Sequence, residues 1–477
     1  MSGLGRIGGV ASIDAVLLAC GYCVLALPLR RLRAALWASY AGLALLAGAG
    51  IVGIELCAVA VAGGKTSPGA LEACAAATAV VGLAVRVLRP GWSTPVAAAP
   101  RRASPPRSFW ALAISTAAGF VLAAVGVIAL VGGFRASPWL DDTWTFWAPK
   151  GIALDRLGLD HRLFLGADGY LPFAHLDYPW WWSILLGNDL HAAGGVDLRV
   201  VDGQLTILVI AFVGTVVRLL WGYVRPTILL PGIALLACSH ELLDQTQSGG
   251  ADLVLAVYLV LFLLGAGFWL RGGEGFWLLV AGLGGAVALQ VKTEGLPQLL
   301  LFAAVATLFG RQAGARRLLG LWSTVALAFL SAAPFLVWRR IHGLHNDIDY
   351  GKALDPSFLF GRTGRVGQAS ETLARHLLTP TEWLFLVPLV LVLGATLAWR
   401  TREPRWLAPA ALVVAGFAFW VWVNWADVYP LAYRLATSSY RIIDPIVVAA
   451  GVAVPVLAER LAQLRSPDGS PPRATQT

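Results

Sequence analysis

The chain has 477 residues, 58% of them hydrophobic and only 13% charged, with a mean hydropathy of +0.71. A soluble globule is about 45–50% apolar and about 25% charged, so this composition excludes a water-soluble domain and indicates an all-α, polytopic membrane protein. The net charge of +9 does not indicate nucleic acid: the arginines gather in short loops between apolar runs, as in cytoplasmic loops beside an anionic leaflet.

A crossing helix needs about 20 apolar residues. In chain order the predicted spans are 11–29, 34–62, 70–88, 109–133, 200–221, 226–243, 251–270, 276–291, 296–309, 319–339, 383–399, 406–424 and 440–458, about thirteen transmembrane helices. The N-terminus lacks a basic stretch followed by an A-x-A-like site, so no cleaved signal peptide is expected. All five cysteines (Cys20, Cys23, Cys57, Cys74, Cys238) fall inside apolar runs. The Cys20/Cys23 pair has no second pair or nearby His, which favours buried thiols over metal or redox chemistry.

Arginine placement sets the expected orientation. Arg30, Arg31 and Arg33 put the first loop inside and the N-terminus outside; "GGKTSPG" is a neutral outer loop. Arg86, Arg89, Arg101, Arg102 and Arg107 mark an inner, proline-rich linker. Inner loops recur at Arg218 and Arg225, at Arg271, at Arg311, Arg316 and Arg317, and at Arg400, Arg402 and Arg405. The tail with Arg460 and Arg465 is also inner. Parity then requires that 178–195, "YPWWWSILLGNDLHAAGG", does not cross; an interfacial helix with its indoles at headgroup depth is expected. Three parts result: 1–108 with the first three spans and the linker, 109–460 as the membrane module, and 461–477 as a cytoplasmic tail. With this threading, the carboxylates, His, Tyr and amides outside the arginine loops all fall on the outer face. A site is expected there, roofed by loops 135–199 and 340–382. Ala, Gly, Arg and Val are abundant and Lys is rare, which fits a high-GC bacterial genome and a bacterial plasma membrane.

Several outer-face residues have both a structural and a chemical reading. In "SPWLDDTWTFWAPK", Asp141 or Asp142 is either the N-cap of a juxtamembrane helix or a general base whose pKa is raised beside apolar Trp rings. Asp252 caps a span or contributes to the site. Lys292 is either a snorkelling lysine paired with Glu294, or a point charge for phosphate that Glu294 orients. Arg441 runs against the charge bias of the outer loops, so it either pairs with Asp444 at i+3 or holds an anion. His342, His345, Asp347 and Asp349 match no strong metal signature; a divalent cation is conceivable and none is required.

The pattern Asp142-x-Trp144-x-x-Trp147-x-x-Lys150, then His175-x-Asp177-Tyr178-Pro179, resembles bacterial membrane glycosyltransferases of the GT-C class, close to the dolichyl-phosphate-mannose protein mannosyltransferase-like group. Gly250-Ala251-Asp252, then Lys292, Glu294 and Gly295, then Trp338, Asn346 and Asp347, then Arg441 follow in the order of that class, over residues 109–460. The resemblance implies inverting transfer of a sugar, a hexose or pentose, from a polyprenyl-phosphate-linked donor. The acceptor would be a cell-envelope glycan, lipid or protein at the outer face. Asp142 would be the base and Asp141 its neighbour or substitute. Lys292 and Arg441 are phosphate candidates by their chemistry, and Lys150, His175, Asp177, Asp252 and Glu294 complete the substrate-binding set. The chain departs from the class by its first three spans, and by lacking the large soluble C-terminal domain of the arabinosyltransferase and oligosaccharyltransferase branches. Membrane lipids are expected partners and nucleic acid is not. The competing expectation is a transporter or flippase of a lipid-linked or amphipathic solute, which would bury charges mid-membrane as Glu55 is.

Overall fold

The computed structural model describes residues 3–26, 37–88, 108–159, 175–344 and 350–465. These residues form helices throughout, with no strand among them. The apolar runs become α1 (Gly3–Leu25), α2 (Ala41–Val61), α3 (Pro68–Leu88), α4 (Phe109–Gly133), α5 (Ala148–Arg156), α6 (Trp181–Ala192), α7 (Arg199–Leu220) and α8 (Pro226–Ala237). They continue as α9 (Ala251–Gly272), α10 (Gly275–Val291), α11 (Gly295–Gly310), α12 (Ala315–Ile341), α13 (Gly364–Leu378), α14 (Leu386–Thr401), α15 (Ala408–Ala426), α16 (Leu431–Ser438) and α17 (Asp444–Arg465). Ten of them (α1–α4, α7, α9, α11, α12, α15 and α17) are long and apolar enough to cross a bilayer, and α8, α10 and α14 are shorter apolar helices. The chain is therefore a multi-pass membrane protein. Large side chains such as Phe109, Phe120, Val127 and Ile128 cover the outside of α4, a surface that hydrocarbon solvates and water does not.

Helix α9 runs through the centre, enclosed by α7, α10, α11 and α17. The N-terminal helices belong to the same core: the Tyr258 hydroxyl on α9 donates to the Leu46 carbonyl at 3.0 Å, and the Trp181 indole donates to the Gly50 carbonyl at 3.3 Å. At one end of the bundle lie the arginine loops. Arg225 pairs with Glu459 at 3.0 Å, and Arg317 donates to the carbonyls of Leu270 and Arg271 at 2.9 Å. The other ends of α4, α9, α10 and α17 carry the carboxylates and cations described below.

Three expectations are corrected. The 226–243 span stops at Ala237; a break at Ser239 and a short helix His240–Gln245 follow. Helix α1 begins at Gly3 rather than 11, so Asp14 is a mid-helix carboxylate that accepts the Gln204 amide at 3.0 Å. Trp180, Trp181 and Trp182 do not face lipid headgroups but are buried in protein. Trp180 packs edge-on against Phe335 and Trp338, and the Trp182 indole donates to the Gly249 carbonyl at 2.8 Å. With 12 residues, α6 is about 18 Å long at 1.5 Å per residue and is not among the long or shorter apolar helices; it lies against α5, α1 and α2.

The α5–α6 contact is backbone on backbone. A methyl group on Gly151 would lie 2.1 Å from the Ser183 carbonyl oxygen, and one on Gly187 would lie 2.3 Å from the Gly151 carbonyl oxygen. Neither neighbour is a flexible side chain that can turn away. Gly151→Ala is expected to push α5 off α6 and destabilise the protein by ~1–3 kcal/mol, as overpacking does, read as a lowered thermal transition in detergent.

Candidate functional site

The segment after α4 turns helical at Asp141, passes through a five-residue π-helical turn at Thr143–Trp147, and continues as α5. Such wide turns re-aim side chains and recur at functional sites. Here the two aspartates part. Asp141 is exposed, and its Oδ1 accepts only the backbone N–H of Asp142 at 3.0 Å. Asp142 makes no capping bond; its Oδ2 meets Nη2 of Arg441 at 2.5 Å. Its neighbour is thus a guanidinium and not an indole: Trp144 is exposed, and Trp147 packs on Phe146 and Tyr178.

Arg441 stands in the turn between α16 and α17, ahead of a helix N-terminus whose dipole disfavours a cation. Its Nε donates to the Thr437 carbonyl at 3.1 Å. Nη1 lies 3.5 Å from Oδ2 of Asp252 in the first turn of α9, and the Lys292 ammonium lies 2.7 Å from Oδ1 of the same carboxylate. Asp252 therefore bridges two cations contributed by loops far apart in the chain. Lys292 is extended between α10 and α11, which lets it and Glu294 point the same way; they are 3.8 Å apart. The Tyr178 hydroxyl donates to Glu294 at 3.4 Å. Side chains of Asp252, Lys292, Glu294 and Arg441 are each at most a tenth exposed, whereas Asp142 is 25% exposed. Burial alone would lower the Arg441 pKa; the Asp252 and Asp142 carboxylates outweigh it and hold the pKa above its ordinary value.

Three sequence expectations change. Arg441 does not pair with Asp444, whose carboxylate oxygens have no hydrogen-bond partner; its ion pairs are with Asp142 and Asp252. Lys292 does not snorkel but is buried on Asp252. Asp252 is not a cap: the N-cap residue is Gly250, with no side-chain bond. The metal reading gains nothing: His342 bonds its ring to the Trp338 carbonyl at 2.8 Å, and no group of three potential ligands is placed to hold a metal among the described residues. His345, Asn346, Asp347 and Asp349 lie outside the described residues.

Lys150, His175 and Asp177 form a second group. The buried Lys150 ammonium donates to the His175 carbonyl at 2.8 Å and lies 4.9 Å from the Trp147 ring. Burial pushes its pKa down to about 7, against the opposing pull of the Asp177 carboxylate. The His175 ring is 3.7 Å from Asp177. Tyr178, edge-on to both His175 and Trp147, joins this group to Glu294. Sequence reasoning passed over Arg434 and Asp427, which pair at 3.0 Å; Arg434 also has the charges of Glu294 and Arg441 nearby. Arg362 and Arg365 close the same edge, donating to the Asp427 carbonyl at 2.6 and 2.8 Å. The only signal was a polar, proline-broken stretch, "ADVYPLAYR", among apolar runs.

Removing one partner of a buried ion pair strands the other. Lys292→Met should cost ~3–5 kcal/mol in reversible unfolding, and Lys292→Met with Asp252→Leu should recover much of it. The Lys150 amine, with its folded pKa of about 7 below an unfolded value of about 10.4, gives a signed pH dependence. Between these values only the unfolded chain takes up the proton. Wild type should therefore lose stability relative to Lys150→Met as pH falls from about 10.4 to 7, with a flat difference below 7, in paired thermal melts. Compared with protein-family models, curated proteins and solved structures, the chain matches none, so a functional reading rests on the chemistry of these residues.

Proposed function

We propose that this protein is a bacterial plasma-membrane glycosyltransferase of the GT-C kind. In this reading it has about thirteen spans, its N-terminus outside, its C-terminus in the cytoplasm and its site at the outer face. It moves a sugar from a polyprenyl-phosphate donor to a hydroxyl of an envelope glycan, lipid or protein, with inversion. The supporting observation is one buried network that holds a partly exposed carboxylate, Asp142, and two cations, Arg441 and Lys292, within reach of each other.

Those are the groups the reaction needs. Asp142 accepts the proton of the acceptor hydroxyl as its oxygen attacks C1 of the sugar. The C1–oxygen bond to phosphate breaks with its electron pair going to the phosphate, which leaves as polyprenyl monophosphate. The leaving group gains negative charge during this step, so cations aimed at it favour the transition state over the ground state. The donor's phosphate is already a leaving group and its lipid diffuses within the bilayer, so the reading needs no nucleotide-binding fold.

The competing reading, a transporter or flippase of a lipid-linked solute, draws on the mid-helix carboxylates Asp14 and Glu55. Transfer from a synthetic polyprenyl-phosphate sugar, measured with the purified protein in proteoliposomes, decides. Asp142→Asn should slow transfer by ~10²–10⁴-fold; undiminished transfer removes Asp142 as base. Wild-type protein inert with every such donor but moving the lipid across the bilayer would favour transport.

A further inference from the structure

Arg441 is asked to hold two anions with one edge. A guanidinium grips a phosphate best through two parallel N–H groups. The Thr437 carbonyl occupies Nε, which leaves the Nη1–Nη2 edge for a two-pronged grip. Nη2 is on Asp142 at 2.5 Å, while Nη1 is buried, 3.5 Å from Asp252 and without a hydrogen-bond partner. A buried guanidinium N–H left unpaired is costly, so this edge favours a ligand with a second acceptor oxygen. Asp142 offers that edge only one atom.

Of the carboxylates in the network, Asp142 is also the one able to leave. Asp252, Glu294 and Asp427 are almost fully buried, whereas a quarter of the Asp142 side chain is exposed. It is carried at the start of a π-helical turn and its departure breaks no capping bond. Paired with Arg441 through Oδ2, the Asp142 carboxylate is held to a guanidinium rather than to an acceptor hydroxyl.

We infer that Arg441 latches Asp142, and that the donor's phosphate, by taking the Nη1–Nη2 edge, displaces the carboxylate and frees it to act as base. The inference rests on the reading of Asp142 and Arg441 given above and adds an order to it: donor binds before acceptor, so Asp142 is free only when a sugar is in place to be attacked. It also fixes an unusual sign. A carboxylate competing for the phosphate's ligand weakens phosphate binding, so removing its charge strengthens binding while slowing transfer.

The test is titration of the full-length protein in lipid nanodiscs with a polyprenyl monophosphate, followed by intrinsic Trp fluorescence. Asp142→Asn is expected to lower Kd about tenfold, and Asp142→Ser, a second route to the same change, to lower it likewise. Arg441→Lys should raise Kd about tenfold or more, and Glu371→Gln, which breaks an exposed pair with Arg375, should leave it unchanged. Inorganic phosphate, run in parallel, should show the same tightening at higher concentrations. Thermal transitions of each variant establish that it is folded. Folded Asp142 variants that bind the lipid phosphate no more tightly than wild type overturn the latch. Tightening towards polyprenyl alcohol, which has no phosphate, also overturns it. Failure of the wild type to bind the lipid phosphate at all removes the transferase reading and the latch together. Binding and turnover by the wild type without tightening in the variants removes the latch alone.

Discussion

The carboxylate of Asp252, shared between Lys292 and Arg441, is the interaction on which the polar end of this bundle depends. An isolated charge in a low-dielectric interior is severely penalised, and a buried pair is tolerated only with good geometry and further hydrogen bonds. Asp252 meets that condition with two cations at 2.7 and 3.5 Å. Each cation then brings a further carboxylate, Glu294 for Lys292 and Asp142 for Arg441. Four chain segments separated by up to about three hundred positions are drawn together by this shared charge. The ends of α9, α10 and α17 and the turn after α4 are fixed relative to each other as a result.

The rest of the architecture serves that fixation. The short α6 is wedged inside the protein by three buried tryptophans and by glycine-to-backbone contact with α5. Tyr178, just before α6, is thereby held against Glu294, and the α5 segment holds Asp142 towards Arg441. At the other end Arg225 pairs with Glu459 and Arg317 donates to backbone carbonyls, so the two ends differ in kind. One has arginines paired singly or bonded to backbone carbonyls; the other has a connected network of carboxylates and cations with a partly exposed carboxylate. Such asymmetry is what a charge-stabilising site requires and what a purely structural cap does not.

Most of the helices were legible because hydrocarbon length and the arginine bias act locally in sequence. The break at Ser239 was not, since nothing in the apolar run 226–238 marks where helix gives way. The surroundings of Trp180–Trp182 were misjudged for a related reason: an aromatic cluster reads alike whether it faces headgroups or protein, and only packing against Phe335, Trp338 and Tyr258 distinguishes them. At the site, residue types singled out Asp142, Asp252, Lys292, Glu294 and Arg441, and the structure brings these five into one network. The pairings were beyond reach. Local rules suggested Asp444 for Arg441, whereas the observed partners lie in two other segments, and Arg434 and Asp427 carried no motif to mark them.

The central claim is that Arg441 and Lys292 form the seat of a lipid-linked phosphate. A cryo-EM structure of the protein in nanodiscs with bound polyprenyl monophosphate tests it most directly. The expected map has the phosphate within hydrogen-bonding distance of both the Arg441 Nη edge and the Lys292 ammonium, with the Asp142 carboxylate withdrawn from Arg441. A phosphate seated elsewhere, for instance among Arg225, Arg317 and Arg405 at the opposite end, with the Asp142–Arg441 pair intact, would contradict it.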